Sequence, residues 1–151
     1  MLGRTHIAIG ILCALLILPF VSVPSKIAFV ALVAFGSLLP DVDHKDSKIN
    51  KIIPVTKIVP VFFKHRGFFH SLFVPLMLYV ICWYFQAPFI GFALVFGYLT
   101  HLASDGLTLM GVNFLYPVAT WHMRGPFETG TFAETLLFLG VIAGIALTLI
   151  R

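Results

Sequence analysis

The stretch PFIGFALVFGYLTHLASD, residues 88–105, combines the two features that decide the fold of this chain. Most of it is apolar, and the run without Asp, Glu, Lys or Arg reaches back from Ser104 to Gly67. His101 and Asp105 lie near its end, and residues at that spacing project from one face of a helix, about one turn apart. The stretch therefore predicts an apolar helix that ends in two side chains able to hold one metal ion.

The composition places the whole chain in the membrane class. Hydrophobic residues make up 60% of the 151 residues and charged residues only 11%, whereas about 25% of residues are charged in a typical soluble domain. The mean hydropathy is +1.03, and two further uncharged runs cover residues 7–25 and 27–40. Because no linker, charge block or internal repeat divides the chain, we expect one integral-membrane domain over residues 1–151.

The apolar runs predict an all-α, polytopic protein with five transmembrane helices. Pro24 and Pro88 suit the first turn of a helix, where a missing N–H costs nothing. Pro40 disfavours helical geometry in the residue before it and should end the second helix, whereas Pro75 is expected to kink the third. The predicted helices cover residues 5–23, 24 or 25–39, 67–85, 88–104 and 131–150.

Basic residues predict the orientation of these helices. Six Lys and Arg residues lie between Pro40 and Gly67, and the positive-inside rule places this segment in the cytoplasm. The N-terminus and residues 106–130 are then cytoplasmic as well, because successive spans alternate in direction. On this arrangement every candidate metal ligand lies at a helix end on the cytoplasmic membrane face.

The motif LPDVDH, residues 39–44, supplies two candidate carboxylates. Asp41 is the preferred metal ligand. Asp43 is expected to bind a second ion, to act as general base or to orient a histidine, and the residues alone leave these roles open. The alternative for both is an Asp-rich turn that begins a cytoplasmic loop.

The motif HRGFFHS supplies two histidines and an anion-binding group. His65 and His70 reach one site if His65 lies in the entering loop and His70 in the first helical turn. Arg66 is a fork-shaped donor suited to phosphate, and Lys64 and Ser71 are expected to contact the substrate beside it. The alternative, a basic anchor before a span, explains Lys64 and Arg66 but not His70. His6 is a candidate ligand only because it shares the same face.

This ordered set of motifs resembles a known family. The set comprises TH near the start, LPDVDH, HRGFFHS, GYLTHLASDGLT and GVNFLYP. It resembles the LexA-regulated, inner-membrane metal-dependent hydrolases called YdjM-like, which look distantly similar to zinc-dependent phospholipase C and its nuclease relatives. The chain offers fewer His and acidic residues than a full three-metal site would use. The resemblance implies these metal-site residues: His6, Asp41, His70, His101 and Asp105, with Asp43 and His65 close by.

We therefore expect a metal-dependent hydrolase that cleaves phosphoester bonds in a membrane lipid or lipid-linked substrate. Zinc is the expected metal and manganese the alternative, with one to three ions. Arg66 would stabilise charge that develops on the phosphate, and no nucleic acid is expected as a partner. Two other classes stay open. One is a metal or proton transporter, since His and Asp in membranes also build ion pathways. The other is a non-catalytic protein whose metal ties helix ends together.

Overall fold

The computed structural model describes residues 1–43, 67–119 and 121–150, and these are mainly helical. They contain five α-helices: α1 (Gly3–Ile17), α2 (Lys26–Gly36), α3 (Phe73–Tyr84), α4 (Pro88–Gly106) and α5 (Phe132–Ile150). Short 3-10 turns cover Leu18–Phe20, Leu39–Asp43 and Phe68–His70. Within the described ranges there is no β-strand, and two isolated bridges join parts of the connection between α4 and α5. The predicted all-helical class is confirmed.

A proline marks one of the helix starts, and a capping serine marks another. Pro88 occupies the first turn of α4, as predicted. The first-turn position predicted for Pro24 is wrong, because Ser25 caps α2 and its side chain accepts a hydrogen bond from the Ala28 N–H at 3.3 Å. The predicted kink at Pro75 is also wrong. This residue lies in the first turn of α3, where its ring displaces no helical hydrogen bond.

The third helix begins at Phe73, later than predicted. Phe68–His70 forms a 3-10 turn, and Ser71 follows it with extended backbone at φ −112° and ψ 163°. An extended residue cannot continue a helix, so the turn and α3 are separate elements. His70 therefore precedes the helix instead of lying in its first turn.

The second helix ends at Gly36, earlier than predicted. Beyond it, the Ser37 hydroxyl donates to the carbonyl of Ala34 at 2.7 Å, which satisfies one of the carbonyls that a helix end leaves open. The chain then forms the turn Leu39–Asp43, which contains Pro40. The two aspartates of this segment are consequently held on a tight turn at the end of α2.

Helix α4 is central to the packing. It contacts α1, α2 and α3, whereas α5 packs mainly on α1. The approach of α2 to α4 is close because Gly97 lies against the backbone of Val33, and a Cβ at this position would collide with the Val33 carbonyl. One buried apolar cluster contains Ala14, Phe29, Val33 and Ala93. A second contains Tyr98, Leu102 and Val112.

Two of the described helical segments, Gly3–Phe20 and Phe132–Ile150, are long and apolar enough to cross a membrane. Phe73–Tyr84 is a shorter apolar helix. Helix α4 has 19 residues, which at about 1.5 Å each approach the hydrocarbon thickness of about 30 Å. Its last turns, however, carry His101, Ser104 and Asp105. The five-span arrangement stays a prediction.

Candidate metal centre

Six predicted site residues meet at one end of the helices. All are buried except Asp41, whose side chain is 19% exposed. They come from four separate segments, which are α1 (His6), the turn Leu39–Asp43 (Asp41 and Asp43), the turn Phe68–His70 (His70) and α4 (His101 and Asp105).

Hydrogen bonds fix the orientation of two of the histidine rings. Nδ1 of His101 lies 2.8 Å from the carbonyl oxygen of Ser37. Since a carbonyl only accepts, this nitrogen carries the proton, and a neutral ring presents its lone pair at Nε2. Nδ1 of His6 lies 2.8 Å from Oγ of Ser104, whose own proton is donated to the carbonyl of His101 at 2.9 Å. His6 is therefore also a donor at Nδ1.

The third ring is oriented by a carboxylate. Nδ1 of His70 lies 3.2 Å from Oδ2 of Asp43, and both side chains are buried. Carboxylate–histidine pairs of this kind fix the tautomer and raise the basicity of histidines that bind metals. The contact matches the orienting role, one of the three that the sequence left open for Asp43.

The Nε2 atoms of the three rings converge on two carboxylates. Nε2 of His6 lies 3.3 Å from Oδ1 of Asp105. Nε2 of His70 and Nε2 of His101 each lie 3.7 Å from Oδ2 of the same residue, and His101 lies 3.7 Å from Oδ1 of Asp41. Metal–ligand bonds of about 2.0–2.1 Å in a tetrahedral site imply ligand separations of about 3.3–3.4 Å. The observed separations are close to that value.

This arrangement requires positive charge between the side chains. Imidazole lone pairs directed at carboxylate oxygens repel one another, and the Nε2 atoms of His6 and His101 form no hydrogen bond within the part of the chain that is described. Charging both rings is costly, because they stack with centroids 3.7 Å apart. The N-terminal ammonium of Met1 donates to Oδ1 of Asp105 at 2.6 Å and supplies one positive charge on that side of the carboxylate. A divalent cation would satisfy the imidazoles and the carboxylates together.

The described residues form two overlapping ligand sets. One contains His6, Asp41 and His101, the other His70, His101 and Asp105, and within each set the ligand atoms lie within 4.8 Å of one another. His101 offers only Nε2, because its Nδ1 donates to Ser37. An ion can therefore be held in either set, and His101 can serve only one of the two sets at a time.

Four predicted site residues are not among these six. Lys64, His65 and Arg66 lie outside the described residues, and their roles stay predictions. Ser71 is buried, and its hydroxyl donates to the carbonyl of Phe68 at 2.7 Å. This bond closes the turn that carries His70, so Ser71 has a structural contact there, and its predicted contact with substrate is still to be tested.

Sequence reasoning missed the residues that orient the histidines. Ser104 had a detectable signal, because it follows His101 by one helical turn and shares its face. Ser37 had none, since it acts through its backbone carbonyl. The Tyr98 hydroxyl donates to the carbonyl of Phe69 and so holds the turn before α3 against α4.

Sequence reasoning also missed a buried carboxylate on α5. One oxygen of Glu134 accepts hydrogen bonds from the Leu2 N–H at 2.6 Å and the Thr5 hydroxyl at 2.8 Å. The other accepts from the Gly130 N–H at 2.6 Å. Glu134 thereby supplies an acceptor where the start of α1 lacks one, directly before His6. An ionisable residue in an apolar segment is a signal that can be read from the sequence, and Glu134 is such a residue.

The fold and the cluster define a class, which is a helical protein with two apolar helices long enough to cross a membrane and a candidate metal centre. The model of the YdjM inner membrane protein family matches residues 1–150, and the chain belongs to this family. The predicted family is confirmed, and its description and the two long apolar helices support the predicted membrane class.

Two relatives show the extent of the likeness. The uncharacterized protein YvsG of Bacillus subtilis (strain 168) is 34% identical over 145 residues, which cover 93% of this chain and 89% of YvsG. The inner membrane protein YdjM of Escherichia coli (strain K12) is 36% identical over 97 residues, 59% of this chain and 48% of that protein. No solved structure matches the chain. Neither name refers to phospholipase C, and that similarity stays a prediction.

Proposed function

We propose that the cluster is the divalent-metal centre of a membrane-bound hydrolase. One observation carries this proposal, namely that three buried histidines are held at Nδ1 while their Nε2 atoms gather around Asp105. Histidines that bind metals almost always donate their other ring N–H to a carbonyl, a carboxylate or water. Histidines that serve only packing have no reason to converge in this way.

The donor set favours zinc. Imidazole nitrogens suit zinc, and carboxylates complete tetrahedral zinc sites of the catalytic type. Manganese is the alternative, because it accepts a larger share of carboxylate ligands. Asp41 fits an ion at the edge of the site, since its side chain is partly exposed and its Oδ1 faces His101 at 3.7 Å.

The proposed reaction is hydrolysis of a phosphoester bond in a lipid or lipid-linked substrate. A bound zinc ion supplies Lewis-acid polarisation of a phosphoryl oxygen and activation of water. In the chain itself, Asp43 holds His70 in position, and Arg66 with Lys64 would bind the phosphate and stabilise charge that develops on it. Membership in an inner-membrane family supports a substrate that resides in the bilayer.

The metal content of the purified protein tests the centre. We expect stoichiometric zinc or manganese by mass spectrometry of the wild type. We expect His101→Ala and Asp105→Ala each to weaken metal binding by at least about 10–100-fold. His122→Ala is the matched control, because His122 is exposed in the connection before α5 and should leave the metal content unchanged. Equal metal in all four proteins would refute the proposal.

A second measurement separates catalysis from a structural metal. The cluster joins four separate segments, which is also what a non-catalytic metal staple would do. We expect the metal-loaded protein to hydrolyse lipid phosphomonoesters or phosphodiesters and the metal-free protein not to. A protein that holds its metal and melts at a lower temperature without it, yet turns over no lipid phosphate, would be a staple.

The proposed membrane arrangement has five spans, with the metal site at the cytoplasmic face. It is supported by the position of the cluster, which lies at the start of α1 and at the end of α4. A topology reporter fused after Arg151 should be active on the periplasmic or extracellular side. A reporter inserted between Asp46 and Lys57 should be active in the cytoplasm. Activity of both on the same side would exclude five spans.

A further inference from the structure

The connection between α4 and α5 is a folded element. Its backbone pairs Val112 with Met123 through hydrogen bonds of 2.9 and 3.0 Å, and the Leu109 N–H donates to the Phe127 carbonyl at 2.8 Å. Gly111 has φ +65°, a conformation that favours glycine, and a Cβ there would collide with the backbone of Met123. The segment is therefore held in a defined shape beside the cluster.

The inner side of this connection packs on the segments that carry the metal ligands. The Thr108 hydroxyl donates to the carbonyl of Asp105 at 2.8 Å. The Leu72 N–H, two residues beyond His70, donates to the carbonyl of Phe114 at 2.9 Å. Val112 is fully buried with Tyr98 and Leu102. The position of the connection relative to the cluster is thus fixed.

The outer side of the connection is apolar. Six large side chains on it have exposed fractions between 39% and 78%. We call them the loop surface: Leu109, Met110, Leu115, Val118, Trp121 and Met123. Exposed apolar surface, where it gathers on one segment, marks contact with a membrane or another protein.

We propose that the loop surface is embedded in the phospholipid headgroup region of the bilayer. Both neighbouring helices also expose apolar side chains, among them Leu99 at 40% and Phe132 at 76%. Arg124 follows Met123 of the loop surface, and this exposed cation is suited to lipid phosphate. The same connection contains Trp121 and Tyr116, and these two residue types are enriched where membrane and water meet.

In this placement the loop surface contacts the bilayer and not a second copy of the chain. The exposed apolar residues of α3, α5 and the loop surface would then contact the same lipid phase, and no separate complementary surface is needed. The metal cluster would lie near the depth of the headgroups, because Asp105 stands at the end of α4 where the connection begins, and the Thr108 hydroxyl donates to its carbonyl. The exposure of the loop surface and the charge of Arg124 support this placement whether or not the cluster binds a metal.

The two tryptophans of the chain provide the test. Trp83→Phe leaves Trp121 as the single tryptophan. This variant is reconstituted into phosphatidylcholine–phosphatidylglycerol vesicles, with brominated phosphatidylcholine as the quencher in the lipid and acrylamide as the quencher in water. Trp121→Phe is the matched control, because it keeps Trp83, which is 62% exposed on the apolar helix α3.

We expect brominated lipid to quench Trp121 about as strongly as Trp83. Bromines near the headgroup should quench it more than bromines near the chain end, because interfacial segments lie about 5–10 Å into the headgroup and acyl boundary. Strong quenching of Trp121 by acrylamide without quenching by lipid would overturn the proposal in favour of a loop in water. Quenching by neither would overturn it in favour of a protein–protein contact.

Discussion

Helices α4 and α5 have the same length, 19 residues, and they differ in what they bury. Nine residues of α4 are buried, among them His101, Ser104 and Asp105. Only Glu134 and Val141 are buried on α5. Hydrophobic composition alone therefore does not place a helix in the interior of this protein.

Neighbouring helices explain the difference. Helix α4 lies among α1, α2 and α3, so the polar groups in its last turns find partners such as the Ser37 carbonyl and the His6 ring. Helix α5 packs mainly on α1 and directs most of its surface outward. We infer that the interior position of α4 brings two of the candidate metal ligands to their partners, and that α5 supports the cluster through the Glu134 contact with α1.

Truncating one leucine on each helix tests this comparison directly. Leu102 on α4 is 1% exposed and Leu147 on α5 is 71% exposed. We expect Leu102→Ala to lower the free energy of unfolding by about 2–5 kcal/mol, because it leaves a cavity in packed surroundings. Leu147→Ala should change it by no more than about 0.5 kcal/mol. Denaturant titration in detergent micelles measures both, and equal losses would contradict the interior position of α4.

The next prediction concerns Arg66, which is expected to bind the phosphate of the substrate. Arg66→Ala should keep the metal and the fold and lose about 10²–10³ in the rate of lipid-phosphate hydrolysis, equivalent to about 2.7–4 kcal/mol. Arg66→Lys should recover only part of this loss, because an ammonium does not reproduce the two-pronged contact of a guanidinium. The assay is turnover of lipid phosphate by metal-loaded protein. If Arg66→Ala has wild-type turnover, Arg66 is an interfacial anchor only.

The smallest expected effect concerns the contact between α5 and α1. Glu134→Gln removes a charged acceptor that receives three hydrogen bonds. We expect it to lower the free energy of unfolding by about 1–3 kcal/mol, and to weaken metal binding because α1 carries His6. Thr148→Ala is the control on the same helix, since the Thr148 hydroxyl donates only within α5, to Gly144 at 2.8 Å. Equal stability and metal content in the two variants would exclude a positioning role for Glu134.

The candidate ligand set was largely predictable from the sequence because it follows local rules. His101 and Asp105 lie one helical turn apart, and an ionisable residue in an apolar run is conspicuous. The starts of the second and third helices were predicted less well. Ser25 is the N-cap of the second helix, so Pro24 lies before its first turn. The extended backbone at Ser71 places the start of the third helix at Phe73. These boundaries depend on single-residue backbone conformations that hydropathy does not report.

Hydropathy and residue spacing were sufficient to predict a helical membrane protein whose His and Asp residues lie at helix ends, because both are properties of a single segment. The ring nitrogen that each histidine presents, and the contact of Glu134 with α1, depend instead on how separate segments pack. A bond such as that from His101 to the Ser37 carbonyl depends on how closely α2 and α4 approach at Gly97. That distance is set by the packing of two helices against each other.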